Sequence, residues 1–149
     1  MRAINRRLII VNRHIALSLA VALMLSVQPG CRDASQRETA AVHGTVTFRG
    51  QPLAGANIFF VTDKGPRASA DTDSQGRYRL MTYRTGDGAV PGDFNVGISK
   101  YVADPATAKD PVPGMKNEIP EKYGNPTTSG LSAKVVAGKS NEFNFDLAE

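Results

Sequence analysis

From Val42 onward the chain is written in period two, and that alternation confines it to strands that bury one face. Val42, Gly44, Val46 and Phe48 alternate with His43, Thr45, Thr47 and Arg49, and Tyr78 and Leu80 alternate with Arg77, Arg79 and Met81. Phe94, Val96 and Ile98 alternate with Asn95, Gly97 and Ser99; Leu131, Ala133 and Val135 repeat the pattern, as do Phe143, Phe145 and Leu147 against Glu142, Asn144 and Asp146. The run Gly55 to Thr62 is apolar on both faces, with Ala56, Ile58 and Phe60 on one and Phe59 and Val61 on the other, which suits a central strand. Turn chemistry separates the runs at Arg49-Gly50-Gln51-Pro52, Asp73-Ser74-Gln75-Gly76, Gly86-Asp87-Gly88, Pro91-Gly92 and Gly138-Lys139-Ser140. No segment after residue 41 carries a helical period. About seven short strands in roughly a hundred residues predict an all-β fold, an antiparallel β-sandwich of two amphipathic sheets packed face to face.

The first thirty residues follow a different logic. Arg2, Arg6, Arg7 and Arg13 precede an uncharged stretch from Ile15 to Val27, which ends in Gln28-Pro29-Gly30 before Cys31, the single cysteine of the chain. Basic, then apolar, then small residues is the order of a secretory signal peptide, and a helix is expected there. A helix spanning a bilayer needs about 20 apolar residues, more than this stretch supplies. Gly30-Cys31 resembles a bacterial lipoprotein lipobox, although Gln28 and Pro29 stand where Leu and a small residue are usual. The resemblance implies that the Cys31 thiol carries a lipid and becomes the first residue of the mature chain. Ordinary secretion with an incidental thiol, or an uncleaved anchor, are the alternatives. A lipid thioether also removes an unpaired thiol from an oxidising compartment. The predicted organisation is a signal peptide over 1–30, a lipid-attached polar tether over 31–41 and one β-sandwich domain over 42–149. The predicted place is the cell envelope, with the protein lipid-anchored to the inner or outer membrane and facing the periplasm or exterior.

Charge argues against a nucleic-acid partner. The chain has 18 Lys and Arg against 14 Asp and Glu, but four of the basic residues and none of the acidic ones lie in the leader, so residues 31–149 balance at 14 against 14. No basic stripe with interleaved aromatics follows.

Three blocks are similar to a known family: Val42-His-Gly-Thr-Val-Thr-Phe-Arg-Gly-Gln-Pro-Leu-Ala-Gly-Ala56, then Ala70-Asp-Thr-Asp-Ser-Gln-Gly-Arg-Tyr-Arg-Leu80, then Val90-Pro-Gly-Asp-Phe-Asn-Val-Gly-Ile98. Their order and spacing resemble the carboxypeptidase regulatory-like family, and the segment from Ile119 to Phe145 looks like the small lipoproteins of planctomycete-type bacteria that carry this domain. The resemblance implies a transthyretin-like, prealbumin-like Greek-key sandwich that acts as an accessory or binding module. It supplies no shared catalytic residues.

Candidate site residues are few. Asp71-Thr72-Asp73-Ser74-Gln75-Gly76 opens like an EF-hand calcium loop, but Thr82 stands where a bidentate Glu is required, so the turn reading of Asp73 prevails over metal binding. His43 is the one histidine beyond the leader and alternates onto the outer face of its strand, which leaves neither a zinc site nor a Ser/His/Asp triad to assemble. No cofactor is implied. The connection from Tyr101 to Gly130 holds Pro105, Pro111, Pro113, Pro120 and Pro126; its first part, Ala103 to Lys116, reads as mobile, and its second, anchored by Ile119 and Tyr123, reads as a cover for a sheet edge. The favoured function is a non-catalytic, membrane-anchored interaction module with an envelope protein or glycan as partner. One alternative is a carbohydrate- or calcium-dependent binding module in which Asp71, Asp73, Asp87 and Tyr123 converge at the loop tips. A second is a transthyretin-like hydrolase, although those enzymes depend on further histidines and a Tyr-Arg-Gly-Ser ending, which Phe145-Asp-Leu-Ala-Glu149 does not match.

Overall fold

The computed structural model describes residues 36–110 and 112–149, so the expected signal helix and Cys31 lie outside the described residues. What it describes is an all-β sandwich. One sheet is built around β1 (Val42–Phe48), which pairs antiparallel with β2 (Gln51–Pro52) and β5 (Arg77–Arg79) and parallel with β10 (Asn141–Glu142) and β11 (Phe145–Leu147). The other has the order β4 (Ala68–Asp71), β3 (Asn57–Val61), β6 (Gly92–Ser99), β9 (Ser132–Val135), all antiparallel.

Alternation decides which side chains meet between the sheets. Val42, Val46, Leu80 and Leu147 from the first sheet and Ile58, Phe60, Val96 and Ile98 from the second are all buried, whereas their sequence neighbours His43, Thr45, Thr47 and Asn95 reach outward. Phe60 is the hub of the core. Its ring lies 5.7 Å from Phe94, 6.0 Å from Phe143 and 6.3 Å from Phe145, in the tilted and edge-on arrangements that aromatic quadrupoles favour. The apolar run from Gly55 to Thr62 is indeed central, lying between β4 and β6. Its outer face is covered locally: Phe59 lies opposite Gly97, whose missing side chain leaves room for the ring, and the Arg67 guanidinium stacks 4.3 Å from that ring's centroid.

The pairing of first and last strands is parallel, a feature that no hairpin pattern announces. Val42 opposes Asn141 and Val46 opposes Phe145 in one continuous register, interrupted where β10 gives way to β11. At the interruption side chains replace ladder bonds. Thr45 N–H and Oγ1 both donate to Asn144 Oδ1 at 2.8 Å, and the Phe143 carbonyl accepts from Tyr78 Oη at 2.8 Å. Gly44 makes this possible, because a Cβ there would sit 1.8 Å from the Phe143 carbonyl oxygen.

The segment expected to be mobile, Ala103 to Lys116, is flanked by strands that the sequence pattern did not announce. β7 (Tyr101–Ala103) and β8 (Met115–Asn117) form a two-stranded antiparallel ribbon directly after β6, closed by a 3-10 turn at Pro105–Thr107. Asp104 Oδ1 caps that turn through Ala106 N–H, and Asp104 N–H donates to the Gly114 carbonyl at 2.8 Å. Beyond the ribbon, Ile119 and Tyr123 are buried, so the second half of the connection packs on the sandwich as its apolar residues predicted.

Candidate functional site

The outer face of β5, β1 and β10 carries an open groove of about 640 Å3, lined by His43, Thr45, Arg77, Arg79, Glu142, Asp71 and Asp73 around the Tyr78 ring and Gly44. Period two explains the lining. His43 stands between Arg79 on one neighbouring strand and Glu142 on the other, and Thr45 is paired with Arg77, so every second residue of three adjacent strands points the same way.

Of the four residues that sequence suggested for one binding site, two reach this groove. Asp71 accepts from Asn57 Nδ2 at 3.0 Å, and Asp73 lies at the mouth. Both oxygens of Asp73 are already engaged: Oδ1 accepts from the backbone N–H of Gln75 and Arg77, each at 2.9 Å, and Oδ2 from Arg77 Nε at 3.0 Å. Those donors, the Arg77 N–H first, hold its carboxyl below the usual carboxylate range. Asp87 is elsewhere, and it staples its own loop. Its carboxylate accepts from Thr82 N–H at 2.7 Å and from Tyr83 and Arg84 N–H at 3.0 Å each. Tyr123, 7% exposed, sits on a 3-10 turn (Glu121–Gly124) and accepts from Ala148 N–H at 3.1 Å through its hydroxyl. Asp71 and Asp73 are therefore together at the groove, and Asp87 and Tyr123 are not among its lining residues. Thr82, the twelfth position of the calcium-like motif, lies within the Asp87 loop. Among the described residues no three His, Cys, Asp or Glu side chains stand close enough to hold a metal ion.

Sequence reasoning passed over Tyr78, Asn141 and Thr72. Tyr78 is 4% exposed, and burial, with the Glu142 charge second, pushes its phenol well above the ordinary tyrosine value. Asn141 clamps the turn between β9 and β10, donating to the Val136 and Lys139 carbonyls at 3.1 Å each and accepting from Val136 N–H at 2.9 Å. Buried Thr72 bridges Leu53 and Ala56, donating at 2.6 Å and accepting at 2.8 Å. A glycine inside a strand pattern was the one available signal, since Gly44 marks where backbone and Tyr78 crowd together.

No protein-family model matches the chain, and no curated protein matches it. Solved structures similar to it include a 9R-lipoxygenase from Cyanothece PCC8801, with 14% identity, a TM-score of 0.37 and coverage of 88% of this chain and 20% of the lipoxygenase. The dioxygenase domain of a dioxygenase carbohydrate-binding protein fusion from Streptomyces sp. SirexAA-E has 17% identity, a TM-score of 0.34 and coverage of 80% and 84%. Chlorocatechol 1,2-dioxygenase from Pseudomonas putida has 16% identity, a TM-score of 0.35 and coverage of 78% and 62%. This chain spans a fifth of the lipoxygenase's length.

Proposed function

We propose that the chain is a non-catalytic, lipid-anchored interaction module of the cell envelope, built on a carboxypeptidase regulatory-like sandwich, that meets its partner through the β7–β8 ribbon. The observation that supports this reading is the ribbon's surface. Tyr101, Ala103 and Met115 share one face by strand register, and Tyr101 is 55% and Met115 60% exposed, with Val112 beyond them at 83%. Tyr and Met are residue types enriched where proteins meet. Of the candidate carboxylates, by contrast, Asp73 and Asp87 are occupied with shaping turns, and Asp71 accepts from Asn57. A photo-crosslinker placed at Met115 in intact envelopes should trap an adduct that Tyr101→Ser removes without lowering the melting temperature. Adducts from Arg79 and none from Met115 would favour a second reading, in which the mixed-charge groove around His43 and Glu142 binds a polar ligand such as a glycan.

A further inference from the structure

The lipid-anchor reading of Cys31 acquires a geometric consequence from where the described chain first touches the fold. Arg37 is already fixed: its N–H donates to Tyr83 Oη at 3.4 Å, its Nη1 donates to the Lys64 carbonyl at 3.0 Å, and three residues later Ala40 bridges Ala89. Only six residue steps separate Cys31 from Arg37, a reach of roughly 20 Å when fully extended.

Arg37 lies at one end of the sandwich. It shares a recess with Lys64, Val90 and Gly92, beside the turn that follows β3 and the start of β6. The turn between β9 and β10 is at the same end, because Val135 opposes Gly92 and Asn141 opposes Val42. The ribbon leaves from the other end of β6, whose eight residues span about 26 Å. A tether of roughly 20 Å cannot run the length of that strand and beyond it, so an anchored molecule cannot stand with its ribbon against the lipid.

Chemistry at the near end agrees. The exposed cations there are Arg37, Lys64, Arg67, Arg84 and Lys139. They outnumber the exposed carboxylates there, Glu38, Asp63, Asp93 and Glu142, of which Asp93 already has Lys134 within 3.9 Å, and Asp87 is bound to three backbone N–H groups. Val136, 43% exposed, and Met81, 46% exposed, add apolar surface. Basic residues interspersed with exposed apolar ones, close to a lipid attachment, suit an anionic bilayer surface.

We propose that the end of the sandwich bearing the Thr62–Arg67 and Val136–Ser140 turns rests against anionic phospholipid headgroups and holds the β7–β8 ribbon away from the membrane. The proposal rests on the lipid-anchor reading, and its test separates the two. The chain has no tryptophan, so Lys139→Trp and Met115→Trp each introduce a single reporter into the full, processed protein. In phosphatidylethanolamine and phosphatidylglycerol vesicles carrying a headgroup-level nitroxide quencher, Lys139→Trp emission should shift to the blue and be quenched, and Met115→Trp emission should do neither. Equal quenching of both reporters would overturn the orientation. Quenching of Lys139→Trp that is unchanged in phosphatidylcholine vesicles, or after Lys64→Glu with Arg84→Glu, would overturn the headgroup contact. If the processed chain has an unmodified N-terminus by mass and still floats with Lys139→Trp quenched, the lipid-anchor reading fails and the contact stands. Should the unaltered chain not float at all, both fall.

Discussion

At the scale of single residues, the tightest constraint is Gly44. A methyl group there collides with the Phe143 carbonyl oxygen, which Tyr78 also needs, and neither partner is the end of a flexible side chain free to move aside. Gly44→Ala should therefore cost about 3 kcal/mol or more, read from denaturant midpoints, whereas Gly138→Ala, with open space around it, should cost only the strain of its positive φ. Tyr78→Phe should cost about 1–3 kcal/mol by leaving that carbonyl without its donor. The same phenol sets an alkaline limit. Its folded value is raised above the ordinary 10.0, so the stability it contributes is complete below pH 10 and declines as pH rises beyond it, because the unfolded chain ionises first. In Tyr78→Phe that alkaline decline should flatten. Asp73 works in the opposite sense: its value is lowered from 3.8, so its turn contributes fully above that pH and loses support as acid carries the solution through the folded value.

At the scale of elements, the contrast between Phe145 and Asn144 tests the alternation of the last strand. Phe145, 8% exposed and against Phe60, should cost about 3–5 kcal/mol when replaced by Ala. Asn144→Ala, on the outer face, should cost nearer 1 kcal/mol for its bonds to Thr45. The Asp73 turn provides a separate test. Calcium at 100-fold above a dissociation constant would raise stability by about 2.7 kcal/mol, but with Arg77 occupying the carboxylate no rise in melting temperature is expected. A rise that disappears in Asp73→Asn would reinstate the binding loop. These elements also mark how far sequence can be read. β1, β5, β6 and β9 were legible because apolar residues alternate with polar ones, β3 because its run is apolar on both faces, and Gly50 and Gly76 take the positive φ that their turns require. β4 was not, because Ala68-Ser69-Ala70-Asp71 has too little hydrophobic contrast to show a period. The ribbon was hidden by its prolines, which interrupt its tip rather than its pairing. At the site, Asp71 and Asp73 were recognisable as a turn, but that Asp87 spends its oxygens on three N–H groups depends on a loop closure that no local pattern records.

At the scale of the whole molecule, the expected sandwich appears because each strand's period already names its buried face, whereas the order in which strands join depends on contacts far apart in the chain. The anchor is tested at this level: Cys31→Ser should leave uncleaved precursor or release soluble protein, followed by fractionation of envelopes, and a mature membrane-bound form with an unmodified N-terminus would count against lipid attachment. One long-range contact also bears on time. Thr45 meets Asn144 across a separation of 99 residues, and β10 and β11 cover the side of β1 opposite its hairpin. Such distant pairing is slow to form, since the loop entropy is lost before the contact is gained. A chain made from its N-terminus therefore carries β1 with one edge uncovered until residues 141–147 emerge, and deleting residues 141–149 should abolish the cooperative melting transition. Residues 141–147 work as a clasp: until they are made, the molecule is not safe from its neighbours.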